Sequence, residues 1–76
     1  MLYLNPDGGS FNGTVFFPPN PLNGQTFEIV CSNNGEYDPI TLDGTDNSIN
    51  NAPAMLSAST KYSWVYIKEK GTWFRM

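Results

Sequence analysis

Apolar and polar side chains alternate most clearly in the closing stretch, Tyr62 to Met76, YSWVYIKEKGTWFRM. Ser63, Val65 and Ile67 alternate with Tyr62, Trp64 and Tyr66, and a period of two puts the two sets on opposite faces of a strand. Lys68-Glu69-Lys70-Gly71 is short, charged and closed by glycine, as a hairpin connection requires, and Thr72-Trp73-Phe74-Arg75-Met76 is a second aromatic run. The pattern predicts a β-hairpin holding both tryptophans and two of the four tyrosines. Val65 and Ile67 are the ordinary core choice. They are expected inside the subunit, leaving Tyr62, Trp64 and Tyr66 for contact with another chain.

Upstream, short apolar runs are separated by turn chemistry. Leu2-Tyr3-Leu4 reads as an edge strand or as an arm reaching a neighbouring subunit. Asn5-Pro6-Asp7-Gly8-Gly9-Ser10 follows it as a dense turn. Phe11 to Phe17 carries the strand-like Thr14-Val15-Phe16-Phe17, stopped by Pro18-Pro19-Asn20-Pro21, because proline cannot donate to a ladder. In Gln25 to Cys31, Phe27, Ile29 and Cys31 are expected inward, with Thr26, Glu28 and Val30 outward. Tyr37-Asp38-Pro39 leads to a brief strand, Ile40-Thr41-Leu42, with Ile40 and Leu42 toward the core. Asp43-Gly44-Thr45-Asp46-Asn47 is a tight turn from which Ser48-Ile49-Asn50 returns, and Asn51-Ala52-Pro53 breaks the chain again. No window supports an amphipathic helix of useful length. The fold class is all-β, a small antiparallel sandwich or partly open barrel that forms a trimer. Residues 1–10 form an N-terminal arm and turn, and residues 11–76 a single β domain.

Composition sharpens this. At 76 residues one core is the limit, and a domain this small is marginal alone. One cysteine forbids an internal disulfide, and one cysteine without any histidine builds no zinc site. Oligomerisation is the remaining support. Four Lys or Arg against seven Asp or Glu give a net charge of −3, with the cations confined to Lys61, Lys68, Lys70 and Arg75. That balance argues against nucleic acid, whose backbone calls for clustered cations. No run approaches the roughly 18 apolar residues of a membrane-spanning helix, and no cationic start precedes an apolar segment. No membrane partner is expected, and the Asn12-Gly13-Thr14 sequon is read as chance.

Candidate chemistry is thin. Asp43, Asp46 and Asn47 do not fit a calcium loop, because Gly44 comes second and Ala54 stands where the twelfth-position glutamate belongs. The same two carboxylates lack the cleft that paired glycosidase chemistry needs. Cys31 and Ser10 have no histidine to activate them. No enzyme, cofactor or metal site is expected. The row Tyr62, Trp64 and Tyr66 would suit stacking on sugars, set against burial by a strand or a second subunit.

From Gly13 onward the order of pieces resembles a small β module of tailed-phage virion proteins. Gly13-Thr14-Val15 precedes a proline-rich link and Asn23-Gly24-Gln25-Thr26-Phe27-Glu28-Ile29-Val30. Ile40-Thr41-Leu42-Asp43-Gly44 and Ser48-Ile49-Asn50-Asn51 come next, then a hairpin ending Gly71-Thr72-Trp73-Phe74. The resemblance covers about four-fifths of the chain and implies a module that trimerises in tail fibres and spikes or as a capsid-decorating protein. It supplies no catalytic residue. An initiator-like Met1 and the short length favour a stand-alone cement protein on the outer capsid surface, assembled in the host cytoplasm. The expected partners are two further copies and the major capsid protein. The alternative is a tail-fibre or tail component, or a receptor module binding a host surface glycan. Leu2, Tyr3, Leu4, Tyr62, Trp64 and Tyr66 are the expected contact residues.

Overall fold

Proline, glycine and asparagine cut the chain into seven short strands: β1 (Leu2–Leu4), β2 (Ser10–Phe16), β3 (Thr26–Cys31), β4 (Glu36–Asp43), β5 (Ser48–Ile49), β6 (Lys61–Ile67) and β7 (Thr72–Arg75). The computed structural model describes the backbone of residues 1–76 and every side chain except those of Asp38 and Pro39. The one helical segment among the described residues is the 3-10 turn Lys68–Lys70. It ends at Gly71 in the left-handed conformation (φ 58°), closing the β6–β7 hairpin. The protein is all-β, as expected.

The pairing differs from an antiparallel sandwich. Five strands form a mixed, half-barrel sheet in the order β1-β3-β6-β7-β5, and β2 pairs with β4 in a separate two-stranded ribbon. Only β3–β6 and β6–β7 are antiparallel; β1–β3, β2–β4 and β5–β7 are parallel. Chain order explains this. Parallel strands need a long crossover, and here each crossover holds a strand of its own. Between β1 and β3 the chain visits β2 in the ribbon. Between β2 and β4 it returns to the sheet as β3. Strands that alternate between two layers meet their next-but-one neighbours running in the same direction.

Strand β4 is also longer than the expected Ile40–Leu42. It begins at Glu36 and runs through Asp38 and Pro39, whose side chains lie outside the described residues. Proline is compatible with an edge strand, and β4 has a partner on one side only. The ribbon's register slips there, from Phe11 opposite Tyr37 to Gly13 opposite Ile40, as a bulge accommodates the extra residue.

The core lies on one face of the five-stranded sheet. Ile29, Cys31, Tyr62, Trp64, Tyr66 and Trp73 are buried there, with Val15, Phe17, Tyr37 and Leu56 packed over them from the ribbon and loops. Residue Phe17, just past β2, is the plug. Its ring centroid lies 4.6 Å from Phe27, 5.0 Å from Trp64 and 5.4 Å from Trp73, in tilted and edge-on geometries. Such pairs contribute about 0.5–1.5 kcal/mol each beyond the area they bury. Its backbone is fixed from the ribbon side, where Phe17 N donates to Asp43 O at 2.8 Å and Thr45 Oγ1 donates to Phe17 O at 2.7 Å.

Candidate interaction surfaces

The contact residues expected from the sequence fall into two groups. Tyr62, Trp64 and Tyr66 are not an intermolecular face. They are 6%, 0% and 6% exposed, inside the chain's own core, while Val65 and Ile67 are half-buried on the opposite face. The register shows why the expected facing is reversed. Ile29 pairs with Tyr62 and Phe27 with Trp64, and paired residues share a face. Once Phe27, Ile29 and Cys31 point inward, the three aromatics must follow.

Burial of these rings also requires partners for their polar tips, and the 47–57 segment supplies them. Tyr66 Oη donates to Asn47 Oδ1 at 2.9 Å, Trp64 Nε1 donates to Asn50 O at 3.2 Å, and Ser57 N donates to Tyr62 Oη at 3.0 Å. Arg75 closes the open end of the row, its guanidinium 5.0 Å from the Tyr62 ring centroid and 6.0 Å from that of Trp64, while Nη1 donates to Asn51 O. Trp73 Nε1 is the one buried side-chain nitrogen or oxygen without a partner among the described residues.

The N-terminal arm does not reach away from the subunit. Strand β1 pairs with β3, placing Leu4 opposite Cys31. Leu4 is buried and Leu2 half-buried. Tyr37 Oη donates to Leu4 O at 2.9 Å, Ser32 N donates to the same oxygen at 3.0 Å, and Ser32 Oγ donates to Asn5 Oδ1 at 3.1 Å. Only Tyr3 of that group is turned outward, 56% exposed, beside Val30. The structure therefore brings Leu2, Leu4, Tyr62, Trp64 and Tyr66 to one side of the sheet, as core, and leaves Tyr3 on the other.

The outer face of the sheet carries mixed chemistry. Val65 lies between Thr26 and Phe74, and all but Thr26 are half-buried. The Lys61 ammonium lies 2.9 Å from Glu28 Oε2, and Ser63 Oγ donates to the same carboxylate at 3.4 Å. The Lys61 hydrogen bond holds the Glu28 carboxyl below the ordinary carboxylate range, with partial desolvation opposing it. Cys31 sits on the buried face, where burial pushes its thiol pKa up and the Tyr37 hydroxyl partly offsets the rise. That environment suppresses the thiolate a nucleophile needs.

Asp43 and Asp46 lie in the expected turn. Asp43 Oδ1 accepts from Thr45 N at 2.8 Å, and Asn47 N donates to Gly44 O at 3.3 Å. Thr45 and Asp46 both have positive φ, 53° and 70°, a strained choice for a β-branched residue. The turn forms one wall of a half-open cleft of about 460 Å³, lined by Asp46, Asn47, Tyr66 and Lys68 on one side and Pro19 to Leu22 on the other. No cluster of three or more cysteine, aspartate or glutamate side chains able to hold a metal ion occurs among the described residues.

No protein-family model, curated protein or solved structure matches the chain.

The surfaces the sequence reading passed over belong to the ribbon. Ser10, Asn12, Gly13, Thr14 and Phe16 of β2 are exposed, as are Thr41 and Asp43 of β4 opposite Thr14 and Phe16. Phe16 is 64% exposed beside the fully buried Phe17. The signal was present in the sequence, since Ser10 to Phe16 contains no charge and no proline.

Proposed function

We propose that the chain is a structural protein of a tailed-phage virion, a capsid decoration protein that works by packing against shell subunits and against copies of itself. The order of pieces from Gly13 to Phe74 supports the virion setting. The observation that carries the mechanical role is the body's shape and surface: an all-β body of 40 × 18 × 17 Å with its large aromatics inside and one uncharged strand, β2, left bare along one face. Such a body can lie across a junction between shell subunits. Many small contacts repeated by symmetry then resist separation, each Å² of buried apolar surface contributing about 25 cal/mol. On this reading three copies surround the junction, and Tyr3, beside Val30 on the outer sheet face, is a shell-facing contact. The chain performs no catalysis.

The test compares particles with and without the protein. Particles lacking it are expected to release DNA at a lower temperature, and adding back the wild-type protein restores the midpoint where Tyr3→Lys does not. Equal heat resistance with and without the protein would overturn the cement role.

The half-open cleft favours a second reading, a receptor module in a tail fibre or tail component. A host glycan would then sit between Pro19–Leu22 and Asp46, Asn47 and Lys68, because Trp64 is sealed in the core. Glycan-array binding lost in Asp46→Ala would support it, and an array without signal would remove it.

A further inference from the structure

Each sheet edge presents backbone N–H and C=O groups to solvent, and folded proteins blunt such edges with short strands, prolines or charges. This chain has four edges among the described residues, belonging to β1, β5, β4 and β2. Strand β1 has three residues and β5 two, too short to template a partner. Strand β4 is eight residues long but contains a proline in its backbone and the exposed acidic residues Glu36 and Asp43. A second copy laid along it would meet like charge and a missing donor. Strand β2 has none of these three guards, and its one irregularity is the register shift beside Gly13, at φ 122°. Its seven residues, Ser-Phe-Asn-Gly-Thr-Val-Phe, are uncharged and proline-free, and five of them are exposed.

The ribbon's own architecture sharpens the point. Parallel pairs are found with both faces covered, and a lone two-stranded pair is marginal in water. Here Val15, Tyr37, Ile40 and Leu42 pack against the core, whereas Asn12, Thr14, Phe16 and Thr41 face solvent. The ribbon has one covered face and no third strand.

We infer that the free edge of β2 pairs with the β2 strand of a second copy, antiparallel about a two-fold axis, extending the ribbon to four strands across two chains. The occupant is a copy of this chain because of charge. With a net charge of −3, two copies repel overall, and β2, which carries no charge, lets them approach without setting like charges opposite one another. An edge meeting itself is also the self-complementary contact that two-fold symmetry requires. The contact is separate from the three-fold packing in the virion reading and holds whether or not the chain decorates a capsid.

The test is the solution mass of the purified chain over the micromolar to millimolar range, with a double variant, Asn12→Lys with Thr14→Lys. Both side chains are exposed, and in an antiparallel pair centred on Gly13 the new lysines face one another across the axis. Wild-type protein is expected at twice the chain mass and the variant at the chain mass, with the near-ultraviolet signal of Trp64 and Trp73 unchanged. A wild-type monomer at every concentration overturns the inference, and so does a folded lysine variant that keeps its dimer. A trimer indifferent to both lysines supports the three-fold reading and overturns this one. Thr14→Cys decides the case in which the lysine variant unfolds. With Cys31 buried, Thr14→Cys carries the reactive thiol, and a short bismaleimide is expected to trap dimers. Recovery of monomer alone contradicts the pairing.

Discussion

Phe16 and Phe17 are adjacent in sequence and opposite in circumstance: one is 64% exposed on the ribbon, the other 1% exposed among Phe27, Trp64 and Trp73. They mark the boundary between two regions built on different terms. The five-stranded sheet is an open half-barrel that covers its inner face with the chain's own residues. Its inner aromatics are buried, the polar tips of Tyr62, Trp64 and Tyr66 are satisfied by the chain's own loop, and its short edge strands offer little to a partner. The ribbon has one face on the core and leaves its other face and both edges open. The first region holds the buried core, and the second carries the bare strand on which the proposed pairing rests.

The largest effects should separate the two regions. Phe17→Ala and Trp64→Ala are each expected to cost about 3–5 kcal/mol in denaturant unfolding, enough to unfold much of so small a domain. Phe16→Ala should stay within about 0.5 kcal/mol of wild type under conditions where the chain is monomeric. A Trp64→Ala protein that stays fully folded would place that ring outside the core and break the comparison.

A smaller effect is expected where β1 is tied down. Tyr37→Phe strips a donor from the buried carbonyl of Leu4 and from Ser32, for an expected loss of about 1–3 kcal/mol. Unchanged stability would mean that the pairing with β3 and the Ser32 hydrogen bonds hold β1 without the Tyr37 hydroxyl. The Glu28–Lys61 pair, on the exposed face of the sheet, should contribute least. Its sign follows from the lowered Glu28 pKa: the contribution is present above the unfolded-state carboxyl pKa and is lost as pH falls through the lower folded value. Glu28→Gln should therefore flatten the acid limb of the stability profile and leave the alkaline side alone. Cys31 supplies a check without a large energy change. It is expected to resist a thiol reagent in the folded protein and to react on unfolding, and rapid reaction in the native state would show that the inner face is open.

Much of the strand content was legible in local chemistry. Turn residues mark nearly every boundary, and the inward facing of Phe27, Ile29 and Cys31 follows from alternation. What local pattern cannot carry is pairing. The alternation in Tyr62–Ile67 defines two faces without saying which is inside; the register with β3 decides it, and that is a contact between residues more than 30 positions apart. The same holds for the parallel ribbon, where β2 and β4 meet only because β3 is drawn into the other sheet. Tyr37-Asp38-Pro39 reads locally as the lead into a brief strand, yet a strand paired on one side only takes these residues in. The aromatic surface assigned to neighbouring chains turned out to be the core, and the bare strand surface lies instead in Ser10–Phe16, a stretch without charge or a tryptophan.

Residue-resolved amide hydrogen exchange, followed as protein concentration is raised, tests this division most directly. Amides of β3, β6 and β7 are expected to be strongly protected at every concentration, while those of Ser10 to Phe16 begin weakly protected and gain protection as copies associate. Protection in β2 that stays constant with concentration, or a gain confined to β6 and β7, would contradict the division into a core-bearing sheet and a bare ribbon.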